Sequence, residues 1–204
     1  MTNDRRTLVQ FLASTTFVAL ACVAYLATAG LADDNIRLLL RLTARLAFVV
    51  LLLVFIARPL RDLIKTPLTL ALLKNRKQFG VTFAGIHTAH MTLIFYRAQQ
   101  VPDFEFSLAS NLPGMATYVV IYLMLITSFS GPAKAIGPKA WRILHKTGLF
   151  LITAVFAQTQ LPRSMDDFAD VNWGLVGFLL FALLVRATAY FGNRKKAGEQ
   201  QSLL

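Results

Sequence analysis

Charge is scarce in this sequence. Only 15% of its 204 residues are charged and 56% are hydrophobic, whereas a soluble domain carries about 25% charged residues. The shortage is also uneven, because long uncharged runs alternate with short, strongly charged connections. That is the pattern of a chain crossing a bilayer several times, not of one large buried core. Cysteine is nearly absent. The single Cys22 sits inside an apolar run, which excludes an intrachain disulfide, a Cys-based zinc site and a Cys-ligated iron–sulfur cluster. It reads as a small apolar packing residue. No G-x-G-x-x-G turn is present to cradle a dinucleotide. Acidic residues are few as well, ten against twenty-one Lys and Arg, for a net charge of +11. In a soluble chain that excess would suggest nucleic acid. In a membrane chain the positive-inside rule accounts for it, and no nucleic-acid partner is expected.

What is there is apolar length. A spanning helix needs about 20 predominantly apolar residues, and six segments qualify: 9–31, 38–57, 79–96, 114–131, 141–161 and 172–191. The first run, of about 24 residues, is too long for a cleaved signal segment. The expected architecture is therefore all-α: a single integral membrane bundle over residues 1–204, with six transmembrane helices joined by short loops. Arg5 and Arg6, the loop from Arg58 to Lys77, the loop from Lys134 to Lys146, and Arg194, Lys195 and Lys196 all fall on one side of six crossings. The other side holds Asp33, Asp34, Asp103, Glu105, Asp166, Asp167 and Asp170, seven of the ten acidic residues. Lys and Arg mark the cytoplasmic side, so both termini are expected there. Pro59 is expected to end the second span and Gly80 to open the third. Trp141 and Trp173 stand where interfacial aromatics belong.

The three histidines all lie within spans. An ionisable residue inside a membrane helix is costly and reads by default as functional. His87 and His90, in "FAGIHTAHMTLIF", are one helical turn apart and face one way. His145 lies about one turn into the fifth span, which runs parallel to the third. Facing imidazoles on two helices of a bundle suit axial ligation of a b-type haem, held without covalent attachment because C-x-x-C-H is absent. Two other readings stay open. One is hydrogen bonding that pins helices together; the other is a zinc or copper site on the His87–His90 pair, which lacks carboxylate or thiol helpers. Measured from Phe79 and Trp141 as cytoplasmic starts, His145 is roughly 6 Å shallower than His87 and about 10 Å shallower than His90. Depth thus favours His87 as the partner of His145. Arg41 and Arg45, four apart on the second span, are either headgroup-seeking cations or a clamp for haem propionates or another anion. Arg186 in the sixth span reads as snorkelling inward.

At these residues the chain resembles the ferric-reductase-like transmembrane domain family. The resemblance rests on "TARLAFVVLLLVFIARPLRDL", "LLKNRKQFGVTFAGIHTAHM" and "GPKAWRILHKTGLFLI", and spans roughly residues 40 to 165. Within that family the nearest likeness is to MsrQ-type haem-binding membrane subunits of bacterial methionine-sulfoxide reductase systems, through the Gly80-to-His90 spacing and the W-x-x-x-H of Trp141 and His145. The resemblance implies a multi-pass protein of the bacterial inner membrane that carries haem b, with FMN as a second cofactor. It would pass electrons from a cytoplasmic flavin reductase or other flavoprotein donor using NAD(P)H to a periplasmic redox partner. It also implies His90 as a ligand. The family carries a second histidine thirteen residues beyond the first on the fifth span, and here that position is Gln158. One haem is therefore expected, on His145 with His90 or, alternatively, His87. The competing function is a haem-free interaction protein or small transporter subunit using its histidines as helix contacts or proton sites.

Overall fold

A bilayer offers no water to backbone amides, so apolar runs fold into helices that satisfy their own N–H and C=O groups. The computed structural model describes residues 3–100, 108–160 and 172–201, and no strand occurs among them. The helices are α1 (Asn3–Ala29), α2 (Asp33–Leu63), α3 (Pro67–Lys74), α4 (Arg76–Gln100), α5 (Leu108–Ile126), α6 (Ser130–Gln160) and α7 (Trp173–Gln201). Each of the six expected segments overlaps one long helix. The short α3 is additional, started by Pro67 and a capping box between Thr66 and Thr69.

Three helices, Asn3–Ala29, Asp33–Leu63 and Trp173–Lys195, are long and apolar enough to cross a membrane. The pair Leu112–Ile126 and Ser130–Thr159, bent by 109°, adds a fourth if counted as one span. α4 falls short by composition, because Thr82, His87, Thr88, His90 and Thr92 dilute its apolar run. Its position explains that polarity. α4 packs against both α1 and α2, so much of its surface meets protein instead of lipid.

The core sits where α2, α4 and α6 converge. Phe48 of α2 stacks on Phe156 of α6 with ring centroids 5.5 Å apart, and Phe55 meets Phe150 edge-on at 5.4 Å. These two contacts run in opposite chain directions, so α2 and α6 are antiparallel. α1 seats on α4 through Gly85: a Cβ there would lie 2.1 Å from Ser14 Oγ and 3.0 Å from the Phe11 carbonyl oxygen. Close backbone approach at small residues is how membrane helices gain packing contact. α5 and α6 are joined in the same manner, since a Cβ on Gly148 would lie 2.8 Å from Val120 Cγ1. Gly137, at φ 77°, breaks α6 near its start. Beyond that break, Trp141 Nε1 donates to the Thr127 carbonyl at 2.9 Å, so α6 runs back alongside α5.

Three expectations are corrected. Pro59 lies inside α2, which continues to Leu63. Proline has no N–H to give the carbonyl four residues earlier, here that of Phe55. Arg186 fills the gap: its Nη1 donates to the Phe55 carbonyl at 2.7 Å, with the guanidinium 4.1 Å above the Phe55 ring and 4.5 Å from the Phe150 ring. Arg186 therefore does not snorkel. It repairs the proline break and ties α7 to α2. Gly80 does not open a helix either, because α4 begins at Arg76.

Candidate functional site

The α4 histidines form the centre of a ring stack. His87 is 7% exposed. Its ring lies 4.6 Å from that of Tyr118 on α5, 5.5 Å from Phe83, 5.4 Å from Phe156 on α6 and 5.3 Å from His90. Its Nδ1 and the Tyr118 hydroxyl are both buried and have no hydrogen-bond partner among the described residues. Leaving a buried donor or acceptor unmade costs about 1–3 kcal/mol, so this stack is expensive as a purely structural device. His90 is half-buried, and its Nδ1 lies 2.8 Å from Thr43 Oγ1 on α2. On α5, one turn beyond Tyr118, the Tyr122 hydroxyl shares a hydrogen bond of 3.0 Å with Thr88 Oγ1.

His145 belongs to a different place. Its Nε2 lies 3.0 Å from Thr127 Oγ1, and Trp141 stacks on its ring at 4.1 Å. Phe156, the α6 residue that reaches His87, is eleven residues further along, or about 16 Å at helical rise. The α4 residue level with His145 by the same count is Arg76. The structure thus brings His87 and His90 together and leaves His145 with neither. Sequence depth underestimated the gap because the start of an apolar run does not fix the height of a helix against its neighbours. Gln158 is exposed; two positions beyond Phe156, it lies about 200° around α6 from the side that meets His87.

Arg41 is exposed and Arg45 half-buried. Each lies two positions from Thr43, about 200° around α2 from the side that meets His90, so neither joins the α4 stack. The residues that surround the histidines, Thr43, Tyr118 and Phe156 at the α4 stack and Thr127 at His145, carried no sequence signal. Their types are common in membrane helices, and only register reveals them. Trp141 alone was findable, as the residue one turn before His145.

A haem bridged between His145 and an α4 imidazole does not fit this arrangement. Attachment through α4 alone does. His87 has an orphaned ring nitrogen, His90 has only one of its two nitrogens engaged, and Phe83, Tyr118 and Phe156 supply aromatic walls. Among the described residues no three His, Cys, Asp or Glu side chains gather as a group that could hold a metal ion.

No curated protein and no solved structure matches the chain. Residues 43–157, more than half of its length, match the family described as ferric reductase like transmembrane component. That stretch starts at Thr43 and includes all three histidines, Tyr118 and Thr127. It closes on Ala157, one residue before Gln158. On this match the chain belongs to the ferric-reductase-like transmembrane component family.

Proposed function

We propose that the chain is a haem-carrying electron-transfer subunit of the bacterial inner membrane, with haem b attached through α4. The observation that carries this reading is the family match over residues 43–157, read together with the costly imidazole stack inside it. Bound haem would supply reversible one-electron exchange. The protein's part is to hold it between apolar and aromatic side chains, to offer an imidazole from α4, and to keep water from the iron.

The reading includes six crossings with both termini in the cytoplasm. α5 and α6 run side by side after Gly137, so a bilayer that takes one takes both. α4 lies between α1 and α2, each long enough to span. Loop charge then sets the direction. Electrons enter from a cytoplasmic flavoprotein or flavin reductase, whose acidic surface or FMN phosphate meets the basic loops around Lys65–Lys77 and Lys134–Lys146. They leave to a redox partner on the outer face, as in an MsrQ-type subunit. Arg41 and Arg45 meet outer headgroups or an anionic group there.

The test is haem stoichiometry. Protein purified from membranes is expected to contain one b-type haem per chain by pyridine haemochrome assay, with a reduced spectrum to match. Colourless protein from haem-replete cells would leave the haem-free alternative, in which the histidines serve as helix contacts, as His145 with Thr127 already does.

A further inference from the structure

A threonine hydroxyl carries one hydrogen, and where it goes decides what a neighbouring imidazole offers. Thr43 Oγ1 lies 2.7 Å from the Leu39 carbonyl oxygen. Two oxygens that close repel unless a proton sits between them, so the hydroxyl donates to Leu39. Its lone pair is then what meets His90 at 2.8 Å, and His90 Nδ1 must be the N–H. A neutral imidazole has one N–H and one lone pair, which leaves the lone pair of His90 on Nε2. The same construction occurs on α5 with the ring reversed. Thr127 Oγ1 lies 2.7 Å from the Leu123 carbonyl oxygen and donates to it. It therefore accepts from His145 Nε2 at 3.0 Å, which places the lone pair of His145 on Nδ1, the nitrogen nearer its own backbone. Thr127 also uses its backbone: its carbonyl, left free by the end of α5, accepts from Trp141 Nε1, and Trp141 covers the His145 ring.

We propose that Thr43 and Thr127 lock these two imidazoles in opposite tautomers, so that His90 would offer Nε2 to the haem and His145 is a pin joining α5 to α6. The proposal rests on the haem reading above and departs from the two-histidine arrangement that the resemblance implies. Thr43 is then a positioning residue. Metal-bound histidines are oriented and made more basic by an oxygen on the other ring nitrogen, and loss of that oxygen costs about 10–100-fold in affinity. The separate heights of the two histidines point the same way. A ligand pair needs both imidazoles on one iron, whereas Phe156, not His145, occupies the α6 position facing His87.

Two measurements test it. Long-range proton–nitrogen correlation spectra of ring-labelled protein report tautomers with or without haem, and are expected to show Nδ1–H for His90 and Nε2–H for His145. The same tautomer at both, or the reverse assignment, overturns the proposal. Absorption spectra of the haem-loaded protein supply the second readout. Thr43→Val is expected to lower haem retention about tenfold or more, Thr43→Ser to restore it, and His145→Ala or Thr127→Val to keep both haem content and spectrum. Haem loss in both His145→Ala and Thr127→Val refutes the role of His145 as a pin. A wild type without haem refutes the cofactor instead, and the tautomer spectra still decide the lock.

Discussion

Gly85 is where a single methyl group tests the packing of α1 on α4. Its added Cβ would sit 2.1 Å from Ser14 Oγ and 3.0 Å from the Phe11 carbonyl oxygen. The first neighbour is a side chain that can turn away, although Ser14 Oγ then gives up its bond to the Gln10 carbonyl at 2.9 Å. The second is backbone and cannot move without carrying α1 with it. Overpacking of this kind costs about 1–3 kcal/mol, while replacing a helical glycine by alanine returns about 1 kcal/mol of helix propensity. The expected net effect of Gly85→Ala is a loss of up to about 2 kcal/mol. Gly85 is two residues before His87 and so about 200° around α4 from it. Haem content is therefore expected to hold while thermal stability in detergent falls. Adding Ser14→Gly removes the closer clash and is expected to recover part of the loss, the signature of two residues in contact. Gly85→Ala protein as stable as wild type, with no coupling to Ser14, would show that α1 does not seat on α4 as described.

Gly148→Val is expected to wedge α5 from α6, because a Cβ there meets Val120 Cγ1 at 2.8 Å; it should lower the melting temperature more than Thr127→Val, as differential scanning fluorimetry would show. Arg186→Lys is expected to destabilise although charge is kept, since lysine lacks the planar fork that bonds the Phe55 carbonyl between two rings; adding Pro59→Ala, which restores an N–H for that carbonyl, should recover part of the loss. Acid should loosen both ends of the bundle. The Asp33 carboxyl is held below its ordinary value of 3.8 by hydrogen bonds from Arg97 and then Arg37, and Asp4 likewise by the Ser130 side chain and backbone. A depressed folded pKa gives stability that is full above 3.8 and lost as pH falls below it, so acid unfolding is expected to shift in Asp33→Asn and Asp4→Asn but stability at pH 7–8 should respond little to pH through these groups.

Much of this fold is legible in the sequence because apolar length is a local signal. All six long helices lie where hydrophobic runs lie. α3 is not legible, since eight residues between two basic stretches look like a loop until Thr66 and Thr69 cap them. The partnership of Pro59 and Arg186 is hidden for another reason: a proline reads as a stop, and only the fold reveals that a residue 127 positions later satisfies the freed carbonyl. The candidate site is half legible. His87 and His90 stand out as intramembrane imidazoles on one face, and the structure keeps them together. Their relation to His145 depends on how far α6 slides along α4, which the spacing of residues along one helix does not encode. The roles of Thr43 and Thr127 are invisible for the same reason, because a threonine becomes a tautomer lock only when a neighbouring helix sets an imidazole against it.

The central claim is that this chain conducts electrons across a membrane through a centre on α4. The most direct measurement places purified, haem-loaded protein in sealed vesicles with ferricyanide trapped inside and dithionite, which crosses lipid poorly, added outside. Ferricyanide is expected to be reduced at a rate proportional to the protein incorporated, with His90→Ala vesicles falling to the rate of protein-free lipid and His145→Ala vesicles retaining transfer. Intact vesicles whose haem is reduced from outside while the trapped ferricyanide stays oxidised would contradict the account.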